Sequence, residues 1–244
     1  MKKKVTSHKV SSKKPRAKTK SLKSKKLGLK IYLFRHGISK YNRDHKFTGI
    51  YDSKLTRKGK KNAKTIALKL KDKTFQVAIR TRLSRSKNTL RPVLKYHPEC
   101  KVIFEDDRMI ERNYGELQGM KHDDFIDMVG MQLYDLKVHG DFMADLEPAY
   151  QKRMKNFLGK EEYEAIHRGF NVRPPGGESF ADVEIRVKDF IKDLKIFMKK
   201  NSVNVAISAH GNSIRLFRRI IEGASKEETV SWFIPYDKVY TYII

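Results

Sequence analysis

The sequence predicts an α/β fold, a mainly parallel sheet with helices on both faces. Three observations lead there. Apolar runs of strand length alternate with longer stretches of helical spacing. Two of the runs, Ile31-Tyr32-Leu33-Phe34 and Val205-Ala206-Ile207-Ser208, lead into His36-Gly37 and His210-Gly211. In each, the glycine lets the chain turn away at the strand end. In such sheets the functional site lies beyond the carboxyl ends of the strands, so two imidazoles are expected to converge there.

The elements follow in order. Residues 1–29 form a low-complexity Lys/Ser/Thr stretch with almost nothing to bury, read as a disordered basic tail. The domain proper is expected over 30–244. A strand at 30–34 opens it, followed by a loop at 37–55. Thr56 caps a helix that places Ala63, Ile66, Ala67 and Leu70 on one face. A strand at 76–81, a helix at 84–96 that Pro92 kinks or shortens, and a strand at 101–105 come next. Residues 120–170 carry helical patterns and no strand, which predicts a helical cap inserted over the sheet end. After Pro174-Pro175-Gly176-Gly177 a long helix begins at Ser179 or at Glu178. A strand at 203–208, a helix at 212–222 closed by Gly223, and a strand at 239–244 complete the chain.

Charge is the other constraint. The 244 residues carry a net charge of +26, and residues 1–30 hold thirteen Lys or Arg and no acid. The remaining 214 still carry +13, which suits an anionic substrate. Cys100 is the only cysteine, so no intramolecular disulfide forms; a reducing, cytoplasmic setting is expected. No apolar run reaches the roughly 20 residues that span a bilayer. The basic start lacks the apolar segment of a secretory signal. Lys13-Lys14-Pro15-Arg16 resembles a nuclear import signal, and the tail as a whole suits contact with nucleic acid or another polyanion. A transit peptide and a solvated tail without a specific role are the competing readings.

The motifs then narrow the class. Arg35-His36-Gly37 with Asn42, followed by Phe47-Thr48-Gly49, Asp52, Leu55-Thr56 and Gly59, resembles the opening signature of the histidine phosphatase superfamily. The resemblance is closest to its cofactor-dependent phosphoglycerate mutase branch. It continues through Thr81-Arg82-Leu83-Ser84-Arg85-Ser86 with Thr89, through Glu111-Arg112-Asn113-Tyr114-Gly115-Glu116-Leu117-Gln118-Gly119, and through His210-Gly211-Asn212-Ser213-Ile214-Arg215. The resemblance implies a phosphoglycerate mutase-like fold and a phosphohistidine mechanism on a small phosphorylated substrate.

Chemistry supports the implied roles. A neutral imidazole is a competent nucleophile near pH 7, so His36 takes the phosphoryl group. Arg35 and Arg85 stabilise the charge spread over the oxygens in flight, and His210 adds a donor from the other side. Glu111 is the candidate general acid for the leaving alkoxide. Asn42, Thr48 and Gly49 either shape the loop or cradle phosphate through side chains and backbone N–H groups. Arg112, Tyr114, Gly211 and Asn212 are candidate substrate contacts, with structural roles as the alternative for Arg112, Tyr114 and Asn212. The other six histidines carry no motif and read as surface residues. No metal-ligand spacing is present, and the arginines supply the positive charge a metal would bring.

Hydrolase and mutase remain alternatives. The mutase branch would place a substrate lysine at position 122, where this chain has His122 with Lys121 before it. It would also place paired arginines in the insertion, whereas the Arg218-Arg219 pair lies after His210. Lys121, Lys137, Lys152, Arg153 and Lys155 are what the insertion offers instead. The lean is to a phosphomonoesterase, which needs no cofactor; a mutase would need 2,3-bisphosphoglycerate. In another class, the charge would suit an inactive fold used for nucleic-acid binding or scaffolding. The intact set Arg35, His36, Arg85, Glu111 and His210 argues against that.

Overall fold

The structure, a computed structural model, describes residues 28–138 and 146–244. The tail expected over 1–29 therefore lies almost wholly outside the described residues, as do residues 139–145 of the cap. The described chain alternates as expected: β1 (Lys30–Arg35), α1 (Lys40–Arg43), α2 (Arg57–Leu70), β2 (Val77–Arg80), α3 (Ser84–Leu94), β3 (Val102–Glu105), α4 (His122–Val138), α5 (Pro148–Arg168), α6 (Phe180–Asn201), β4 (Val205–Ala209), α7 (Gly211–Glu222), α8 (Lys226–Ser231) and β5 (Val239–Ile243).

The five strands form one sheet in the order β3-β2-β4-β1-β5. All pairs are parallel except β1 with β5. Alternate side chains divide between the two faces, as the pleat requires. Ile31, Leu33, Val77, Ile79, Val205 and Ile207 share a core with α6 and α7. Tyr32, Phe34, Ala78 and Ala206 share one with α2 and α3. The expected mainly parallel sheet with helices on both faces is what the structure shows.

Local signals set the helix ends. Thr56 Oγ1 accepts the Gly59 N–H, and Ser179, rather than Glu178, caps α6 in a reciprocal box with Asp182. Gly223, at φ 73°, closes α7. Pro92 sits in the last turn of α3, which ends two residues later. Shortening is thus the effect observed, because little helix remains downstream to lose a hydrogen bond. Two elements went unforeseen: α1 within the 37–55 loop, and α8 before the last strand. Both are too short to show a periodic pattern.

The insertion is helical, as its pattern predicted. The two helices α4 and α5 pack so closely at Gly130 and Gly159 that a Cβ on either would strike a backbone carbonyl of the other helix. A third apolar cluster, with Phe47, Tyr114, Leu117, Phe125, Ile126 and Ile166, joins this cap to the loops at the sheet end. No described helix is long and apolar enough to cross a membrane.

Candidate active site

The site follows from strand register. In the parallel pair β1 and β4, Arg35 lies opposite Ala209. The next residues, His36 and His210, therefore leave the sheet side by side, with ring centroids 4.9 Å apart. The ladder runs one bond further, from the His36 N–H to the Ala209 carbonyl at 3.0 Å. The convergence expected of the two His-Gly turns is present.

His36 is held in one tautomer. Its Nδ1 lies 2.7 Å from the Gly37 carbonyl oxygen, a partner that can only accept, so Nδ1 carries the proton. Nε2 is left with a free lone pair. His210 Nε2 lies 2.8 Å from Thr81 Oγ1. Burial, reinforced by the Arg85 charge, holds both imidazoles well below the usual histidine range, so both are neutral near pH 7.

Arg85 comes from the first turn of α3 and is fully buried. Its guanidinium donates to the carbonyls of Tyr51 and Gly49, both at 2.7 Å. Burial lowers it to about 10, still a cation at neutral pH. Gly49 needs its glycine, with φ at 49° and the Gln118 side chain where a Cβ would be. Arg35 donates to the Ile234 carbonyl at 2.9 Å and lies over the Tyr236 ring.

Glu111 is seated on the N-terminus of α7. Its oxygens accept the N–H groups of Gly211, Asn212 and Arg112 at 2.9 to 3.0 Å. A small cavity of about 220 Å³ opens in front of it. Arg35, Asn42, Thr48, Gly49, Glu111, Tyr114, Gly211 and Asn212 all line it. His36, Arg85 and His210 are buried beside it, behind the lining formed by their neighbours. Asn42 Oδ1 is committed to Ser39, which leaves its amide nitrogen for a ligand.

Arg112 departs from its expected position as a substrate contact. It does not line the cavity. Its side chain is fully buried between the Tyr114 and Phe180 rings and donates to the Ile166 carbonyl. Packing against aromatic faces, not access to a ligand, fixes it there. Arg218 and Arg219 are also elsewhere, paired with Glu222 and Glu184.

Several lining residues were not singled out from the sequence: Lys46, His167, Arg168 and Tyr236; His122 was noted only as the position of the missing lysine and Arg215 only as the end of a motif. The reading of six surface histidines needs correcting for three of them. His97 is packed against Phe75, and His122 and His167 sit in the cavity wall. Tyr163 stacks on His167 at 15° and meets His122 Nδ1 through its hydroxyl at 3.1 Å. Burial lowers His122 to about 4 and His167 to about 3, so this wall is neutral. His8 and His139 lie outside the described residues. An aromatic three or four residues away, Phe125 for His122 and Tyr163 for His167, was the available signal, but it is shared by many core helices.

Among the described residues no group of histidine, cysteine or carboxylate side chains is arranged to hold a metal ion. Four cations face the cavity and one carboxylate does, so the arrangement suits an anion. An unprotonated imidazole nitrogen backed by guanidinium groups is an arrangement whose chemistry suits phosphoryl transfer.

Comparison with known proteins gives the family. The sequence pattern described as "Histidine phosphatase superfamily (branch 1)" matches residues 31–141 and 143–242. The chain belongs to the histidine phosphatase superfamily. It is 29% identical over 218 residues to a 2,3-bisphosphoglycerate-dependent phosphoglycerate mutase of Chlamydia caviae, covering 87% of this chain and 92% of that protein. Among solved structures, YhfR of Bacillus stearothermophilus superposes with a TM-score of 0.65 at 19% identity, covering 87% of this chain and 90% of that one. The alpha-ribazole phosphatase of Shigella flexneri gives 0.60 at 20% identity, over 82% and 83%. These superpositions confirm the fold.

Proposed function

We propose that the protein is a phosphomonoesterase working through a phospho-His36 intermediate on a small phosphate ester. The observation that carries this is the His36 tautomer: the Gly37 carbonyl takes the Nδ1 proton and leaves Nε2 nucleophilic. Nε2 attacks phosphorus, the N–P bond forms and the ester P–O bond breaks. Glu111, the one carboxylate among the described residues lining the cavity, gives the leaving alkoxide its proton. Arg35, Arg85 and His210 stabilise the charge on the phosphoryl oxygens. Glu111, now a carboxylate, takes a proton from the water that attacks phosphorus, the N–P bond breaks with its electron pair returning to Nε2, and inorganic phosphate leaves. Asn42, Thr48, Gly49, Tyr114, Gly211 and Asn212 hold the ester.

Hydrolysis is favoured over return transfer by His122. A neutral imidazole stands where the mutase resemblance calls for a lysine, so that position supplies no cation to hold an anionic intermediate. A second reading, a 2,3-bisphosphoglycerate-dependent mutase, is supported by Arg168 and Arg215, which face the cavity and suit a second anionic group. The name of the Chlamydia caviae relative points the same way. The test gives the enzyme 3-phosphoglycerate with and without 2,3-bisphosphoglycerate and measures isomerised product and free phosphate. Free phosphate without bisphosphate dependence is expected. Bisphosphate-dependent 2-phosphoglycerate would replace the first reading by the second.

A further inference from the structure

Three arginines in the cavity wall come from three unrelated elements: Arg35 ends β1, Arg168 ends the cap helix α5, and Arg215 lies in α7. One short piece of chain holds all three. Arg168 donates to the Val230 carbonyl at 2.6 Å, Arg215 to the Trp232 carbonyl at 2.8 Å, and Arg35 to the Ile234 carbonyl at 2.9 Å. The acceptors are alternate residues. Val230 and Trp232 lie at the C-terminal end of α8, where helix carbonyls lack intrahelical partners and favour cations.

Carboxylates are scarce around these cations. Among the described residues, Arg35 and Arg215 form no ion pair, and Arg168 has only a 4.0 Å approach to Glu164. Arg215 is pushed down to about 10, by burial first and by Arg168 second. Carbonyl dipoles orient a guanidinium without cancelling its charge, whereas a carboxylate would neutralise it and compete with an anionic ligand. Tyr236, three residues further on in sequence from Phe233, faces the Arg35 guanidinium at 4.1 Å and extends the same support.

We infer that residues 230–236 are a positioning element, a rack of backbone carbonyls that fixes three cavity arginines for an anionic substrate while leaving them charged. The rack also ties the cap, through Arg168, to the sheet end, through Arg35. Ile234 keeps it in place, since its side chain is buried in the main core at 1% exposure. The inference rests on the phosphate-ester reading of the cavity.

The test replaces Ile234 and compares it with a core residue remote from the site. Met198, fully buried in the same core, lies in the last turn of α6, at the end where β4 begins rather than where it delivers His210. Activity on p-nitrophenyl phosphate, competitive inhibition by inorganic phosphate and melting temperature are measured for both. For Ile234→Ala, kcat/KM should fall about tenfold and the Ki for inorganic phosphate rise about as much, from misplaced guanidinium groups. Met198→Ala should lose a comparable melting temperature with both constants unmoved. Ile234→Val, which keeps most of the anchor, should raise Ki by only about threefold, and it takes over as the test variant if Ile234→Ala does not fold. An unchanged Ki in the folded Ile234 variants, or an equal rise in Met198→Ala, overturns the rack. Absence of a phosphohistidine in the wild type instead overturns the phosphate-ester reading, whatever the variants do.

Discussion

The sheet end and the cap meet at one cavity but are built differently. At the sheet end, positions follow from main-chain register: β1 beside β4 fixes His36 beside His210, and β2 brings Thr81 to His210 Nε2. In the cap, α4 and α5 are pinned at the close approaches of Gly130 and Gly159, and Met131, Leu136 and Phe157 stay more than half exposed. One region is determined by hydrogen-bonded pairing, the other by side-chain packing and the close approach of two helices. On the proposed function, the chemistry would fall to the sheet end and the choice of ester to the cap.

The strongest way to break this division is at the nucleophile. His36→Ala should abolish the phosphoenzyme and lower kcat by at least about four orders of magnitude, with the melting transition retained. Labelled substrate followed by acid-labile phosphate detection checks it; near-normal turnover would remove the sheet end from the mechanism. Glu111→Gln should slow an alkyl phosphate about a hundredfold and p-nitrophenyl phosphate much less, because that leaving group needs no proton. Equal losses on the two esters would deny the acid role.

A pH series sharpens the comparison further. His36 and His210 at the sheet end, and His122 and His167 in the cap, all titrate below the usual 6.5. Below about 6.5 the unfolded chain binds protons that the native state refuses, so stability is full above that pH and falls as pH drops toward the folded values. Melting temperature should decline from pH 7 to pH 5, while kcat/KM shows no break at 6.5. His167→Phe should flatten the acid limb of the melting curve; an unaltered slope would assign the effect to His36, His210 and His122 instead. The smallest catalytic effect is expected from removing residues 1–29. Turnover should be unchanged and salt-sensitive retention on a polyanion column lost.

The two regions also differed in how far the sequence disclosed them. Strand runs, the His-Gly turns and the caps at Thr56 and Ser179 carry local signals, so the fold and the placement of Arg35, His36, Arg85, Glu111 and His210 around one site were legible. The cap was legible only as helices. Charge pattern drew attention to Lys137, Lys152, Arg153 and Lys155, yet Arg168 is the cap cation that lines the cavity. The helical pattern marks a face, but which charged face meets the sheet end depends on a crossing set by two glycines. Arg112 stayed open between a ligand contact and a structural role for a related reason: its aromatic sandwich with Phe180 spans distant sequence.

The contact between His36 Nδ1 and the Gly37 carbonyl has a consequence for mutational robustness. Orienting partners of catalytic imidazoles are commonly side chains, and one substitution can remove them. Here the partner is main chain, so no replacement of a neighbouring side chain deletes it. The glycine that bears it is itself fixed, by its N–H donating to Thr89 Oγ1 and by the Gly59 carbonyl, which a Cβ on Gly37 would strike. A Cβ on Gly59 would in turn strike the Ile38 carbonyl. The tautomer of His36 is thus exposed to mutation chiefly through bulk at two glycines, one of them in the first turn of α2.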